Sequence, residues 1–399
     1  MSSDGPAPNR LPTLSGAFSW TLPRLDWPLT TQVGAGLAGV VACGTRVSWL
    51  DPSSGVLAYR GLPIERLAGV VTFEETAHLL ITGVAPGVDP EGRRELVRRL
   101  RQGRELPGEV VALLGDLDPQ LHPTLLLRVG VSALGCHELA ASDDLAGEAH
   151  WRELRIVGQV AALVGLIARR RRGLEPVACD PTCTLSEGLL RALADGDPAP
   201  EDVQLLDLLW VLYADHGLDA PSFTSLVVAS CHADPYYNVV AGLSALRGPR
   251  LGGASEAVLE QILPLEGESR ARAWVQQTLQ RGERIAGFGH RLYAMDDPRA
   301  TILRKELALA ARRKGREELF VVARAVEDEA SRRLATRGVH LNINFYAALL
   351  FHLLGAEAPL LPCLYMVGRM AGLVARVQEA LEGGGRLYRP LSRYVAPAG

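Results

Sequence analysis

Apolar residues recur at spacings of three and four through most of the chain, and nearly every such run is closed by a glycine. "TFEETAHLLITG" (72–83) begins on a threonine, carries Glu75 three residues later and stops at Gly83, which is the pattern of a capped amphipathic helix. The same form repeats in "RRELVRRLRQG" (93–103), "HPTLLLRVGVSALG" (122–135), "WRELRIVGQVAALVGLIARRRRG" (151–173) and "VQLLDLLWVLYADHG" (203–217). It continues in "ASEAVLEQIL", "SRARAWVQQTLQRG", "PRATILRKELALAARRKG", "EELFVVARAVEDEASRRLATRG", "NFYAALLFHLLG" and "CLYMVGRMAGLVARVQEALEGGG". The exception is 40–60, where β-branched and aromatic residues flank "DPSSG" and predict a small hairpin. The fold class is therefore mainly α with a short N-terminal β-hairpin and no fixed-period repeat. Glycine and proline concentrate at 234–253 and 282–298; both stretches are poor helix interiors and are expected to be joints between packed helices. "RRRR" at 169–172 falls in a last helical turn and reads as a solvated terminus, where cations suit the carbonyl end.

Composition narrows the class. With 399 residues, 48% hydrophobic, 22% charged and a formal net charge of -3, the chain can bury a large core in one to three domains. A balance this close to neutral argues against nucleic acid or a membrane surface as partner, since both favour a basic face. The six cysteines are scattered, which suits a reducing cytoplasm; Cys179 and Cys183 lack further ligands at zinc spacing, so no metal site is expected. "MSSDGPAPNRLPTLSG" has no apolar signal-peptide core, so 1–30 is expected to be a flexible tail. No window reaches the roughly 18 charge-free apolar residues of a membrane span. The expectation is a soluble, cytoplasmic protein.

Several stretches could carry chemistry. "YADHG" puts His216 at the end of an apolar helix, as a structural cap or as a donor to a ligand. "AGFGHRLYAMDDPRA" offers the flexible backbone of Gly287, Phe288 and Gly289, then His290, and then Arg299 at a helix start, where a guanidinium can grip a carboxylate in two places. Asn342 and Asn344 precede an apolar helix and read first as caps. Arg369 interrupts an apolar helix, so it must snorkel, pair with an acid or meet an anion; Arg376, Arg386, Arg389 and Arg393 follow. "GPRLGGASEA" (248–257) sets Arg250 and Leu251 between glycine turns. It is either a catalytic loop whose working residue has changed or an ordinary turn.

Taken in order, "GLAGVVACGTRVSWLDPSSGVLAYRGLPIERLAGVVTFEETAHLLITG", "YADHG", "LSALRGPRLGGASEA", "GFGHRLYAMDDPRA" and "NINFYAALL" resemble the citrate synthase family, including its methylcitrate-forming relatives. The resemblance implies a large helical domain (31–252 and 351–399) and a smaller one (253–350) that closes over a cleft. It implies a homodimer, an oxo-dicarboxylate ligand (oxaloacetate), a CoA thioester as co-substrate and no permanently bound cofactor. By position, His216, His290, Arg299 and Arg369 would hold the oxo-dicarboxylate, with His290 polarising its carbonyl and Arg389 reaching in from the partner subunit. Gly287, Phe288, Gly289 and Arg250 would face CoA. The chain departs from the family at two catalytic positions. Asn344 stands where the family has its aspartate base, and Leu251 where it has the histidine that stabilises the enol. Loss of a general base costs about 10²–10⁴ in rate, and loss of an oxyanion donor about 2.7–4 kcal/mol. His340, one helical turn before Asn344, or Arg250 could substitute. Ala294, Leu373 and Arg376 alter the CoA side as well. The expected function is therefore oxo-dicarboxylate binding with little ordinary condensation. The alternatives are an active citrate or 2-methylcitrate synthase with a substitute acid or base, and a regulatory partner of a genuine synthase.

Overall fold

The computed structural model describes residues 35–37, 39–141, 149–178, 180–194, 196–249 and 251–390. Two units are distinguished, 1–44 and 45–399. Of the first, the described part is a 3-10 turn at Ala35–Leu37 and the residues just after it. The expected tail at 1–30, Cys179, Arg250 and Arg393 lie outside the described residues.

The second unit opens with the expected hairpin. Strand β1 (Ser48–Asp51) pairs antiparallel with β2 (Val56–Tyr59), Trp49 opposite Ala58, and Asp51 Oδ1 accepts the Ser53 N–H at 2.9 Å to close the turn. A third strand, β3 (Leu62–Pro63), adds to β2; two residues are too short to leave an alternation in the sequence.

The rest of the unit is helical. The helices are α1 (Phe73–Thr82), α2 (Pro90–Gln102), α3 (Gly108–Asp116), α4 (Pro123–Ala141), α5 (Ala149–Arg171), α6 (Leu185–Leu193), α7 (Pro200–Tyr213) and α8 (Ala220–Ala229). Then come α9 (Pro235–Leu246), α10 (Gly253–Ile262), α11 (Gly267–Gln280), α12 (Pro298–Arg313), α13 (Glu317–Leu334), α14 (Ile343–Leu353) and α15 (Leu361–Glu382). The Thr72–Glu75 capping box forms as read. The joint expected at 234–253 forms only in its last part, between the end of α9 at Leu246 and the start of α10 at Gly253; before it Asp234 caps α9, and Pro235 sits in its first turn, where a missing N–H costs nothing. The 282–298 stretch stays non-helical up to the start of α12. The arginine run is also more than a solvated terminus. Arg170 Nη2 donates to Gly115 O at 2.6 Å, Arg171 Nη1 to Leu121 O at 3.1 Å and Arg172 Nη1 to Leu193 O at 2.6 Å. It ties the ends of α3 and α6 to α5 through carbonyls those helices leave unpaired.

Helix α15 is the core of the unit, buried on every side from Leu361 to Val377 and packed against α1, α5, α7 and α8. Among the described residues it is the one helix long and apolar enough to cross a membrane, and it is mostly buried inside the protein. Two glycines let α7 lie close on it. A Cβ on Gly368 would meet Trp210 and Tyr213 at 3.0 Å, and one on Gly372 would fall 2.3 Å from Ala214 O. Farther along the chain, α11 packs on α13, and α12 on both α13 and α14.

A buried, cation-lined candidate active site

His216 lies just past the end of α7, on a loop held from three directions. Arg376 of α15 grips Asp215 with two bonds, Nε to Oδ2 at 2.7 Å and Nη2 to Oδ1 at 2.8 Å, and Ser48 of β1 donates to Oδ1 at 2.5 Å. Tyr59 Oη donates to the Asp215 carbonyl at 3.0 Å, and the Gly372 N–H donates to Ala214 O at 3.0 Å. Burial alone would raise the Asp215 pKa; the Arg376 charge and its hydrogen bonds outweigh it and hold the carboxyl below its usual range. Arg376, expected on the CoA side, is thus a structural partner of the His216 loop.

His290 comes from the 282–298 stretch. Its Nδ1 accepts the backbone N–H groups of Leu292 and Tyr293, both at 3.1 Å. Nδ1 is therefore unprotonated and the ring proton sits on Nε2, which has no protein partner among the described residues. Burial, reinforced by Arg299, lowers the pKa to about 4. At neutral pH His290 is a neutral N–H donor, the state suited to polarising a carbonyl oxygen. The His216 and His290 rings lie 5.3 Å apart, nearly perpendicular, and the Tyr293 hydroxyl meets His216 Nε2 at 3.1 Å. The His216 pKa is also pushed well down, by burial first and then by Arg299 and Arg369.

Two buried guanidiniums flank the histidines, and they differ. Arg299 is matched: Nε and Nη2 meet both oxygens of Asp297 at 2.9 and 2.7 Å, and Asp297 Oδ2 also accepts the Ile343 N–H at the head of α14. Arg369 is not. It is 1% exposed; its nearest acid, Asp219, stands 3.4 Å from Nε, and Nε and Nη1 make no hydrogen bond. Tyr365 lies under its plane at 5.2 Å and gives its hydroxyl to Asp219 at 2.5 Å. A buried cation with unmatched donors is what an anion-binding site looks like without its anion. His216, His290 and Asp297 bring possible ligand atoms within 4.8 Å of one another. Both Asp297 oxygens are already engaged, and two arginines share the space, so the field favours an anion over a metal cation.

The positions that depart from the family pattern are also defined. Leu251 is half-buried against the apolar core at the entry to α10, and it offers no hydrogen bond. Asn344, in the first turn of α14, receives the hydroxyls of Tyr213 at 3.1 Å and Ser255 at 3.2 Å on Oδ1. Asn342 is the cap, accepting the Asn344 N–H at 3.0 Å. His340 precedes the helix, with Nδ1 3.8 Å from Asp296, so the one-turn relation that would have let it share a face with Asn344 does not arise. At Gly287, φ is +80° and a Cβ would lie 2.6 Å from that of Phe345, so only glycine fits. The Gly289 N–H, one candidate for a CoA phosphate, is taken by His340 O at 2.6 Å. Arg389 is exposed. Tyr293, Asp219, Tyr213 and Ser255 were missed in the sequence reading; of these, only Asp219 left a signal, as an aspartate ahead of a proline at a helix start.

The depressed histidine has a measurable consequence. An unfolded His290 takes up a proton near 6.5, whereas the folded one does so near 4. Between those values the unfolded chain binds more protons, so stability falls as pH falls, by at most about 1.4 kcal/mol per unit for this group. Thermal unfolding from pH 7 to 4.5 is expected to show a shallower acid loss for His290→Gln than for the wild type. Parallel curves would show that the ring is not held neutral.

Fold and site together define a predominantly helical protein that gathers buried guanidiniums and a neutral imidazole in one cluster. The chain belongs to the citrate synthase family: the family's C-terminal domain model matches residues 36–391. It is 29% identical to the citrate synthase of Deinococcus radiodurans over 92% of this chain and 96% of that one. It is 31% identical to 2-methylcitrate synthase 2 of Corynebacterium glutamicum, covering 92% and 95%. The citrate synthase structure from Thermotoga maritima superposes with a TM-score of 0.80 at 30% identity, over 92% of this chain and 96% of that one. A ternary complex of the Thermoplasma acidophilum enzyme with carboxymethyl coenzyme A and oxaloacetate shares the fold, with a TM-score of 0.85 at 24% identity, covering 91% and 96%.

Proposed function

We propose that the chain binds an oxo-dicarboxylate between Arg369, Arg299, His216 and His290, and condenses acyl-CoA with it only slowly. The observation that carries this is Arg369, a buried guanidinium whose Nε and Nη1 make no hydrogen bond and whose charge reaches His216. One ligand carboxylate satisfies Arg369, and the ligand carbonyl accepts from His290. A CoA thioester is the co-substrate, the assembly is a homodimer with Arg389 supplied by the partner, and the 253–350 segment closes over the cleft. Slow condensation follows from positions 251 and 344. An acyl-CoA methyl group gives up its proton only to a base held against it, with a donor on the thioester oxygen. Leucine and asparagine supply neither.

The test separates binding from folding. Arg369→Met keeps the length of the side chain but breaks the ion pair with Asp219, so thermal stability is expected to fall while the chain stays folded. Oxaloacetate affinity by calorimetry is expected to drop at least roughly 10-fold, the worth of a charged hydrogen bond. Unchanged affinity would sink the reading.

A further inference from the structure

We propose that Glu74 and Asp207 hold one proton between them and form a pH-sensitive clasp where α1, α6 and α7 meet, on the helix that ends in the His216 loop. It does not depend on what the site binds.

Both carboxylates reach the same corner. Asp207 Oδ1, on α7, accepts the Phe73 N–H at 3.1 Å and the Ser186 hydroxyl at 2.7 Å. Glu74 Oε1 accepts the Leu185 N–H at 2.8 Å. Phe73 opens α1 and Leu185 opens α6. Asp207 therefore bonds to the residue beside Glu74 and to the residue beside Glu74's own partner. Both acids are buried, Glu74 at 1% and Asp207 at 8% exposure. Glu74 Oε2 has no hydrogen-bond partner, and Asp207 uses Oδ1 for both of its bonds.

The surrounding charges leave this corner unbalanced. Arg101 of α2 faces it, but its Nε stands 4.0 Å from Glu74 Oε1 and makes no hydrogen bond. Glu75 is held by Arg93 at 2.7 Å, and Glu187 of α6 by Arg191 at 2.9 Å. Arg104 gives its protons to the carbonyls of Asp180, Cys183 and Thr184, and burial holds His78, one turn along α1, below its usual pKa. Two buried carboxylates against one distant guanidinium are costly to keep ionised together. A proton on Asp207 Oδ2 removes one charge and supplies the donor that Glu74 Oε2 lacks. Burial first, and the Glu74 charge second, push the Asp207 pKa up to about 7. Loss of the proton is felt beyond the corner. Phe73, whose N–H Asp207 holds, lies against Trp210 with ring centroids 5.2 Å apart, and Trp210 packs on Gly368 beside Arg369.

An unfolded Asp207 titrates near 3.8 and the folded one near 7. Between those values the folded chain holds more protons, so the clasp's contribution to stability falls as pH rises. Asp207→Asn mimics the protonated acid: its amide oxygen still accepts from Phe73 and Ser186, and its N–H turns to Glu74. In denaturant unfolding of the full-length protein from pH 5 to 8, the variant is expected to gain on wild type by up to about tenfold in unfolding constant per pH unit, levelling off above pH 7. Infrared spectra are expected to show a protonated-carboxyl band in wild type that fades from pH 6 to 8 and is missing in Asp207→Asn. Glu74→Gln is expected to move that fading to lower pH, because the neighbouring charge is gone. Hydrogen exchange at 211–217 is expected to run at least about threefold faster in wild type than in Asp207→Asn at pH 8, and equally at pH 6. Parallel unfolding curves, or a band that persists in Asp207→Asn, overturn the shared proton. Where Asp207→Asn fails to fold, a band that Glu74→Gln leaves unmoved overturns it. Equal exchange at pH 8 overturns the link to the His216 loop.

Discussion

The double variant Leu251→His, Asn344→Asp is expected to release CoA thiol from acetyl-CoA and oxaloacetate at least about 10²-fold faster than the wild type, within the range a general base contributes. Asparagine to aspartate changes one atom, so Tyr213 and Ser255 can keep donating to the same oxygen. Donation to a carboxylate favours its ionised form, which is the form a base requires. Leu251 is only half-buried at the start of α10, so an imidazole there displaces little packing. The contributions of the two residues need not add, because both act on one transition state. Each single variant should therefore fall well short of the pair. A spectrophotometric thiol assay decides the matter. If the wild type already turns over steadily, and loses that turnover on His290→Gln, a base survives elsewhere and the slow-condensation reading fails.

The second large effect concerns stability. Asp215 and Arg376 are both buried and meet through two bonds, with Ser48 and the Gly217 N–H also on Asp215 Oδ1. Removing one member leaves an uncompensated buried charge, at a cost of about 3–5 kcal/mol. Arg376→Met and Asp215→Asn are each expected to lower the free energy of unfolding by that amount, measured by denaturant titration. The double variant should lose much less than the sum, because it strands nothing. Additive losses would show that the pair is not the lock on the His216 loop. Oxaloacetate affinity should fall in both single variants, since the loop carries a ligand-facing histidine.

Most of this architecture was legible in the chain. Long apolar periodicities with glycine stops mark the main helices, and the Thr72–Glu75 box and the "DPSSG" turn sit where their chemistry predicts. The failures have physical causes. Helices α3, α6 and α8 are nine or ten residues long and open on proline or glycine-containing turns, so they passed as loops where the equally short α1 was marked by its capping box. The glycine and proline of 234–253 made it read as a poor helix interior, although Pro235 is harmless in the first turn of α9 and Gly242 is where a Cβ would collide with Ser225 Oγ at 2.8 Å. Arg369 was correctly marked as anomalous by its apolar surroundings. What sequence could not show was which acid each arginine would meet. Arg376 finds Asp215 from 161 positions away, and Asn344 finds Tyr213 from 131. Such pairings depend on how helices cross, and local pattern carries no record of that.

The glycine contact between α15 and the end of α7 couples parts of the site. With Gly372 bonded to Ala214 and Arg376 clamped on Asp215, the His216 ring, Arg369 and Arg376 ride on a single carrier. The His290 ring rides on another, tied through Gly289 and Asn342 to the head of α14. The Tyr293 hydroxyl on His216 Nε2 and the Tyr213 hydroxyl on Asn344 tie the two carriers together, so the spacing of the imidazoles is set by both at once.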